Sequence, residues 1–311
     1  MNRTTMLNER EAESCYLGQF IPLHYHHNML MDSNRMQAFK TAIQHVVFPG
    51  AKVLELGGGT GVLSWFAAQQ AEKVWCVEFN PDMVNEARRL LAQNPQGEKV
   101  EVIHADAFEY LPPEPVDVVI CEMIHVAMLR EKLLEVIANF KQRYLEKFGG
   151  PLPIFMPEAI IMAVQPMQQE YNFEGYSAPI VQFQETTAIY TNSRQLAEPA
   201  VYSIIDFSAP IDMLISWQGS FSMTEDGNLN ALRFITKNIL SVLQQQSSTI
   251  DWLNHYMVLP LPSALQVKAG DIIDVSFRYR GGASIASLQN ALQAVIRQPE
   301  SITVRGEAVF A

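Results

Sequence analysis

A β-branched run broken by glycines, "VLELGGGTG" at residues 53–61, constrains this chain more than any other segment. Val53–Leu56 reads as a short buried strand, and helical spacing begins at once in "VLSWFAAQQ". Glycines between a strand and a helix let the backbone turn tightly and approach a ligand with no Cβ in the way. The alternation then continues. "KVWCVEFN" is a strand, and "PDMVNEARRLLAQN" a helix with Pro81 in its first turn. "VEVIHADA" and "VDVVICE" are further strands, and "REKLLEVIANFKQRYL" is an amphipathic helix. A helix is also expected before the glycine strand, in "MQAFKTAIQHVVF". Strands alternating with helices predict a mostly parallel sheet covered on both faces.

The pattern changes at "KFGGPLPIFMPEA", where two glycines and three prolines fall between residues 149 and 157. Beyond it the chain turns β-rich, with expected strands such as "AIIMAVQPM", "ALRFITKNIL", "DIIDVSFRYR" and "ESITVRGEAVF". Two domains are expected, residues 1–150 and residues 151–311, the second a sheet sandwich or barrel. "ASIASLQNALQAVIRQ", 283–298, has helical spacing and reads as a helix within it.

Composition excludes several classes. The 311 residues are 48% hydrophobic and 18% charged, as in a globular protein with a sizeable core. No apolar run approaches the ~20 residues that span a bilayer, and the N-terminus lacks the apolar stretch of a secretory signal. The formal charge of −11 argues against a nucleic-acid partner. Cys76 and Cys121 fall in expected buried strands, Cys15 stands alone, and no C-x-x-C spacing occurs, so a reduced, cytoplasmic setting is expected. "HYHH", His24–His27, lacks further ligands at metal-binding spacing, and no metal is expected.

Acids cluster where a ligand would lie. In open α/β sheets ligands sit at the carboxyl ends of the strands. Gly57 ends the first strand, Glu78 the second, and Asp106-Ala107 the third. An acid at Glu78 can accept hydrogen bonds from both hydroxyls of a ribose; alone it is equally a solvated strand-end charge. The polar turn at Asp106-Ala107 can meet an adenine edge. The spacing G-x-G-x-G is neither the dinucleotide fingerprint nor a P-loop. Glu122 and Glu131 bound the segment "CEMIHVAMLRE". Glu131 alone is an ordinary helix N-terminal acid; with Glu122 at a strand's carboxyl end, a cation clamp becomes the better reading.

Taken together, these residues resemble the S-adenosylmethionine-dependent methyltransferases of Rossmann-like type. "VLELGGGTG" is similar to their first motif, and Glu78 to their ribose contact. The resemblance implies a seven-stranded sheet with the last strand antiparallel, from which this chain departs because its β-rich half follows where that sheet normally completes, and it implies cofactor contacts from Glu55, Gly57, Gly59, Gly61, Glu78, Asp106 and Ala107.

From about residue 16 onward the chain resembles one branch more narrowly, the protein arginine methyltransferases. "HYHHNMLMDSNRMQAF" is similar to the segment preceding that branch's first strand, which implies that His26, Met29 and Arg35 approach the cofactor, Arg35 pairing with its carboxylate. "CEMIHVAMLRE" is similar to the double-glutamate loop, implying that Glu122 and Glu131 are the catalytic acids. "PLPIFMPEA" resembles the linker to the branch's barrel, and "DWLNHYMVLPL" its Thr-His-Trp loop, with Trp252 in the tryptophan's place. The departures are equally specific. Met123-Ile124-His125-Val126 stands where the branch has Trp-Met-Gly-Tyr, Asp251 replaces the loop histidine, and only Tyr16 and Phe20 represent its aromatic N-terminal segment. The 180–200 region, where the branch carries a dimerisation arm, is short. His125, Asp251 and Trp252 are candidate substrate contacts; Trp252 is equally a packing residue. The expected acceptor is a peptide, protein or small molecule bearing a guanidino or amine group, with a homodimer as a further expectation. A small-molecule N- or O-methyltransferase and an inactive cofactor-binding regulator are the alternatives.

Overall fold

The computed structural model describes residues 23–297. Cys15, Tyr16, Phe20 and the strand expected at 300–310 lie outside the described residues. Two helices lead in, α1 (Leu23–Met31) and α2 (Ser33–Val46). Asp32 caps α2, its carboxylate accepting from the Arg35 backbone N–H at 2.9 Å. The α/β unit follows as β1 (Lys52–Leu56), α3 (Val62–Ala68), β2 (Lys73–Glu78), α4 (Pro81–Leu91), β3 (Val100–His104), β4 (Val118–Cys121), α5 (Leu133–Phe148) and β5 (Ile154–Met156). Asn80 caps α4, and Pro81 takes the first helical position, where no intrahelical N–H is needed.

The sheet order is β3-β2-β1-β4-β5, and every pair is parallel. Among the described residues the sheet has five strands and no antiparallel member, a departure from the seven-stranded pattern in keeping with a β-rich half that begins directly after it. The chain leaves it after Met156, and from Glu158, whose N–H donates to the Ile239 carbonyl, it is captured by an antiparallel sheet. Alternation along β1 sends Val53 toward α2 and α3, and Leu54 and Leu56 toward α5. Strand order reverses between β1 and β4, the switch point at which such sheets bind ligands. Leu56 pairs with Cys121, so Gly57 and Glu122 leave the sheet side by side.

The β-rich half opens with β6 (Ala159–Gln169), which pairs with the long strand Gly227–Leu243 in a seven-stranded sheet. A three-stranded sheet of Leu214–Ser222, Ile272–Arg280 and Gln293–Ile296 faces it. Tyr202 and Phe234 of the larger sheet pack on Phe277 of the smaller, with ring centroids 5.1 and 5.5 Å away. The strands thus form two facing sheets, and no closed barrel is found among the described residues. Residues 283–298 are also not one helix. Ile285–Ala291 is helical, but Gln293–Ile296 pairs as an edge strand with Ile273–Ser276. Its Ala-Val-Ile run suits a strand, and helical spacing in so short an apolar stretch cannot tell the two apart. One apolar core runs from α5 into both β-sheets, so the halves are packed as one body.

Candidate functional site

A crevice of about 1180 Å³ opens at the switch point, between the parallel sheet, α1 and the β-rich half. The glycine turn forms its floor. Gly57 and Gly59 have φ of 79° and 53°, where a Cβ is strained, and each is also closely covered. A Cβ on Gly57 would lie 2.9 Å from Met123 Cγ, and one on Gly59 2.8 Å from His26 Cε1. Gly58 packs on Cys76 from the other side. Gly61, also at positive φ, caps α3 against Leu91 and does not line the crevice, so its role is to turn the chain.

Glu78 ties the turn to β2. Its two carboxylate oxygens accept from the Gly59 and Asn80 N–H groups at 2.9 and 2.8 Å. Each oxygen keeps a second lone pair for a ligand hydroxyl. Asp106 shapes the turn after β3 by accepting from the Phe108 N–H at 2.9 Å, and places Ala107 on the crevice wall. Glu55 is buried beneath the floor, accepting from both the Ser64 N–H and its hydroxyl. Burial outweighs those bonds and raises the Glu55 carboxyl to about 8.

Arg35 is the hinge of the site. It is only 6% exposed, and its Nη2 donates to Glu122 Oε2 at 2.8 Å. Its Nη1 reaches the Met29 carbonyl, and its guanidinium lies 5.4 Å from the Phe39 ring and 5.8 Å from the Trp252 ring. Burial opposes the charge, but Glu122 outweighs it and Arg35 is held above its ordinary value. Trp252 therefore acts on the site by stacking Arg35 from the β-rich half. Asp251 lines the crevice while paired with Lys237 at 3.1 Å and bonded to the Thr249 hydroxyl.

The two acids bound a loop with an unusual backbone. Ala127, Met128 and Arg130 have φ of 58°, 53° and 60°, a conformation that costs a non-glycine residue about 1–3 kcal/mol. Glu131 precedes α5 and is not part of it. Both acids line the same crevice as the glycine turn. Burial, then repulsion from Glu122, raises the Glu131 carboxyl to about 8. His125 lines the crevice too. Its Nδ1 bonds the Val126 carbonyl at 2.9 Å, so Nδ1 carries the proton, and Phe183 meets the ring edge-on at 5.8 Å. Burial lowers His125 to about 4, keeping it neutral at neutral pH. Among the described residues no group of three or more His, Cys, Asp or Glu is arranged to hold a metal ion.

A raised carboxyl makes stability fall with rising pH. The native state keeps a proton on Glu131 that the unfolded chain releases above its ordinary value near 4.5, so stability drops as pH climbs from about 4.5 to about 8. Melting temperatures across this window should fall less steeply in Glu131→Gln than in the wild type. Parallel slopes would show that the carboxyl titrates normally.

Residues 53–146 match the methyltransferase domain family. Over 142 residues the chain is 34% identical to protein arginine N-methyltransferase 2 of Xenopus tropicalis, covering 44% of this chain and 33% of that one. The chain carries an S-adenosylmethionine-dependent methyltransferase domain similar to that of the protein arginine methyltransferases. It spans only about a third of the length of that relative. An uncharacterised protein of Methanocaldococcus jannaschii is instead similar end to end, 25% identical over 85% of this chain and 95% of its own. The fold agrees with solved arginine methyltransferases. The Trypanosoma brucei PRMT1 enzyme–prozyme heterotetrameric complex with AdoHcy superposes with a TM-score of 0.67 at 17% identity, covering 88% of this chain and 98% of that one. Arabidopsis thaliana protein arginine methyltransferase 10 superposes at 0.69 and 19% identity, covering 85% and 89%.

Two residues that line this crevice carry no sequence signal of their own. Phe183 backs His125, and Asn254 braces the loop. Neither is a titratable group at a strand end, and each meets its partner only through long-range packing.

Proposed function

We propose that the protein transfers a methyl group from S-adenosylmethionine to a guanidino or amine nitrogen, and that the acceptor is an arginine side chain. The carrying observation is that Glu122 and Glu131 line one crevice with the glycine turn, Glu122 fixed by Arg35. The residues present suit the cofactor. Gly57 and Gly59 admit close backbone approach, Glu78 has lone pairs for ribose hydroxyls, and Ala107 offers a small wall for an adenine. Arg35 Nε is buried without a hydrogen bond, which suits a guanidinium that also takes a ligand carboxylate. His26 and Met29 flank the same floor.

Bound there, S-adenosylmethionine supplies an electrophilic methyl group, taken up by the acceptor nitrogen's lone pair as the bond to sulfur breaks. The chain supplies position and a proton path. Eight carboxylate-bearing residues line the crevice against Arg35 and Lys132, which favours a cationic acceptor. Glu122 is oriented by Arg35, and Glu131 makes no side-chain hydrogen bond among the described residues, leaving both its oxygens to an acceptor. A planar guanidinium matches two carboxylates, which hold one terminal nitrogen toward the methyl group. Binding a cation lowers the raised Glu131 carboxyl and releases its proton. The restored carboxylate then accepts the proton shed by the methylated nitrogen. His125, neutral, adds no positive charge to repel the acceptor.

The test is transfer from methyl-labelled S-adenosylmethionine to an arginine peptide, its lysine counterpart and free arginine, with the labelled atom located by mass spectrometry. Label on a guanidino nitrogen of the peptide is the expected result. Label confined to a small molecule, or to a carboxyl or hydroxyl oxygen, would overturn the acceptor assignment. Binding heat without transfer to any acceptor would favour a regulator.

A further inference from the structure

The loop that carries the two acids does not hold its own shape. Between Glu122 and Glu131 its internal hydrogen bonds are short-range, from the Met128 N–H to His125, the Leu129 N–H to Val126, the Glu131 N–H to Leu129 and His125 Nδ1 to the Val126 carbonyl. Five of its backbone groups are bonded by the β-rich half. The Ala127 N–H donates to Thr236 Oγ1 at 2.8 Å, and the Tyr279 hydroxyl donates to the Ala127 carbonyl at 2.8 Å. Asn254 Nδ2 donates to the Ile124 carbonyl at 3.3 Å. The Gly282 N–H donates to the Met128 carbonyl, and the Arg130 N–H to the Ala283 carbonyl, both at 2.8 Å. Thr236 comes from the seven-stranded sheet, Asn254 from the turn joining two of its strands, Ser248–Leu253 and Tyr256–Val267, and Tyr279 from the smaller sheet. The loop is thus gripped from both sheets, and the grip centres on Ala127, a non-glycine residue at φ 58°.

We infer that Thr236 and Tyr279 are positioning residues for methyl transfer, which fix Glu122 and Glu131 at their working separation by holding the Ala127 peptide in its left-handed conformation. A left-handed alanine persists only where its surroundings over-determine it. Here both polar groups of one residue are taken by buried side chains: Thr236 is fully buried, and the Tyr279 hydroxyl is further bonded to that of Tyr202 at 3.1 Å. Neither side chain lines the crevice, so neither touches an acceptor or cofactor. Losing either bond leaves a buried peptide group unpaired, and the loop regains backbone freedom where it links the two acids. The β-rich half accordingly sets the geometry of acids that belong to the other half of the chain. The kinetic part of this inference rests on the methyl-transfer reading; the conformational part does not.

Three variants of the full chain test it: Thr236→Val, which keeps shape and removes the acceptor, Thr236→Ser, which restores it, and Tyr279→Phe. Hydrogen–deuterium exchange at residues 124–130 is expected to rise at least tenfold in Thr236→Val and return toward wild type in Thr236→Ser, with β1 and β2 unchanged. With an arginine peptide, kcat should fall at least tenfold in Thr236→Val and Tyr279→Phe, while KM and the calorimetric affinity for S-adenosylmethionine stay within about threefold. Thr236→Ser should recover most of kcat. Unchanged exchange in Thr236→Val overturns the inference whether or not the protein transfers methyl groups. So does a kcat that falls only in step with cofactor affinity, or a serine variant no better than valine. A wild type inactive on every acceptor would sink the proposed function alone, because the exchange comparison still decides the clamp. If Tyr279→Phe does not fold, the valine and serine pair carries the decision.

Discussion

Glu131→Gln is expected to lower kcat by about 10²–10⁴-fold, the usual worth of a positioned proton acceptor, and to leave S-adenosylmethionine binding intact. Glu122→Gln should lose activity on a similar scale. The two variants part in stability. Glu122 is the partner of a buried guanidinium, 2.8 Å away with side chains 7% and 13% exposed. Glutamine keeps an oxygen for Arg35 but leaves its charge uncompensated, and breaking a buried pair from one side is strongly destabilising. Glu131 has no ion-pair partner among the described residues, and burial already disfavours its charge. Glu131→Gln should therefore melt at or above the wild-type temperature near pH 8, and Glu122→Gln well below it. Single-turnover transfer to an arginine peptide, calorimetry with the cofactor, and thermal melts separate these effects. If both variants keep more than a tenth of wild-type kcat, the cation clamp is wrong and the acids are structural.

How much of this was legible in the residue order follows from what each element depends on. The α/β unit is locally coded. The glycine turn, the Asn80-Pro81 cap and the two-faced strands each announce themselves within ten residues, and the crevice at the strand ends follows from topology. The position of Glu122 at the crevice was also legible, because a charge closing an apolar strand is conspicuous; Glu131 by itself reads as an ordinary helix N-terminal acid. What could not be read was the link between distant segments. Thr236 lies 109 residues from Ala127, and Tyr279 lies 152. Nothing in the local pattern of either says that its hydroxyl ends on that peptide. The same limit explains the smaller misreadings. Whether strands close into a barrel or face each other as sheets depends on edges set by long-range pairing. Residues 293–296 became a strand because Ile273–Ser276 presented an edge to them.

On the proposed reading Arg35 joins the cofactor and acceptor sites, and its replacement should damage both. Arg35→Lys keeps the charge but not the planar fork. Lysine can satisfy Glu122 or a ligand carboxylate, not both at once. The expected result is a loss of S-adenosylmethionine affinity of about 10–100-fold, the worth of one charge-assisted hydrogen bond, together with a lower kcat even at saturating cofactor, because Glu122 loses its orientation. Arg35→Ala should bind more weakly still, and it also strips the cation from the Phe39 and Trp252 rings and leaves Glu122 half-buried without a partner. Its melting temperature should fall accordingly. A test of position, apart from charge, comes from Trp252→Leu. It removes one ring that stacks Arg35 while sparing the ion pair, so it should weaken cofactor binding less than Arg35→Lys and leave Glu122 paired. Calorimetry on the three variants at one ionic strength decides the matter. Should Arg35→Lys bind the cofactor within threefold of wild type, the guanidinium serves only Glu122, and the carboxylate of the bound cofactor must be held elsewhere in the crevice.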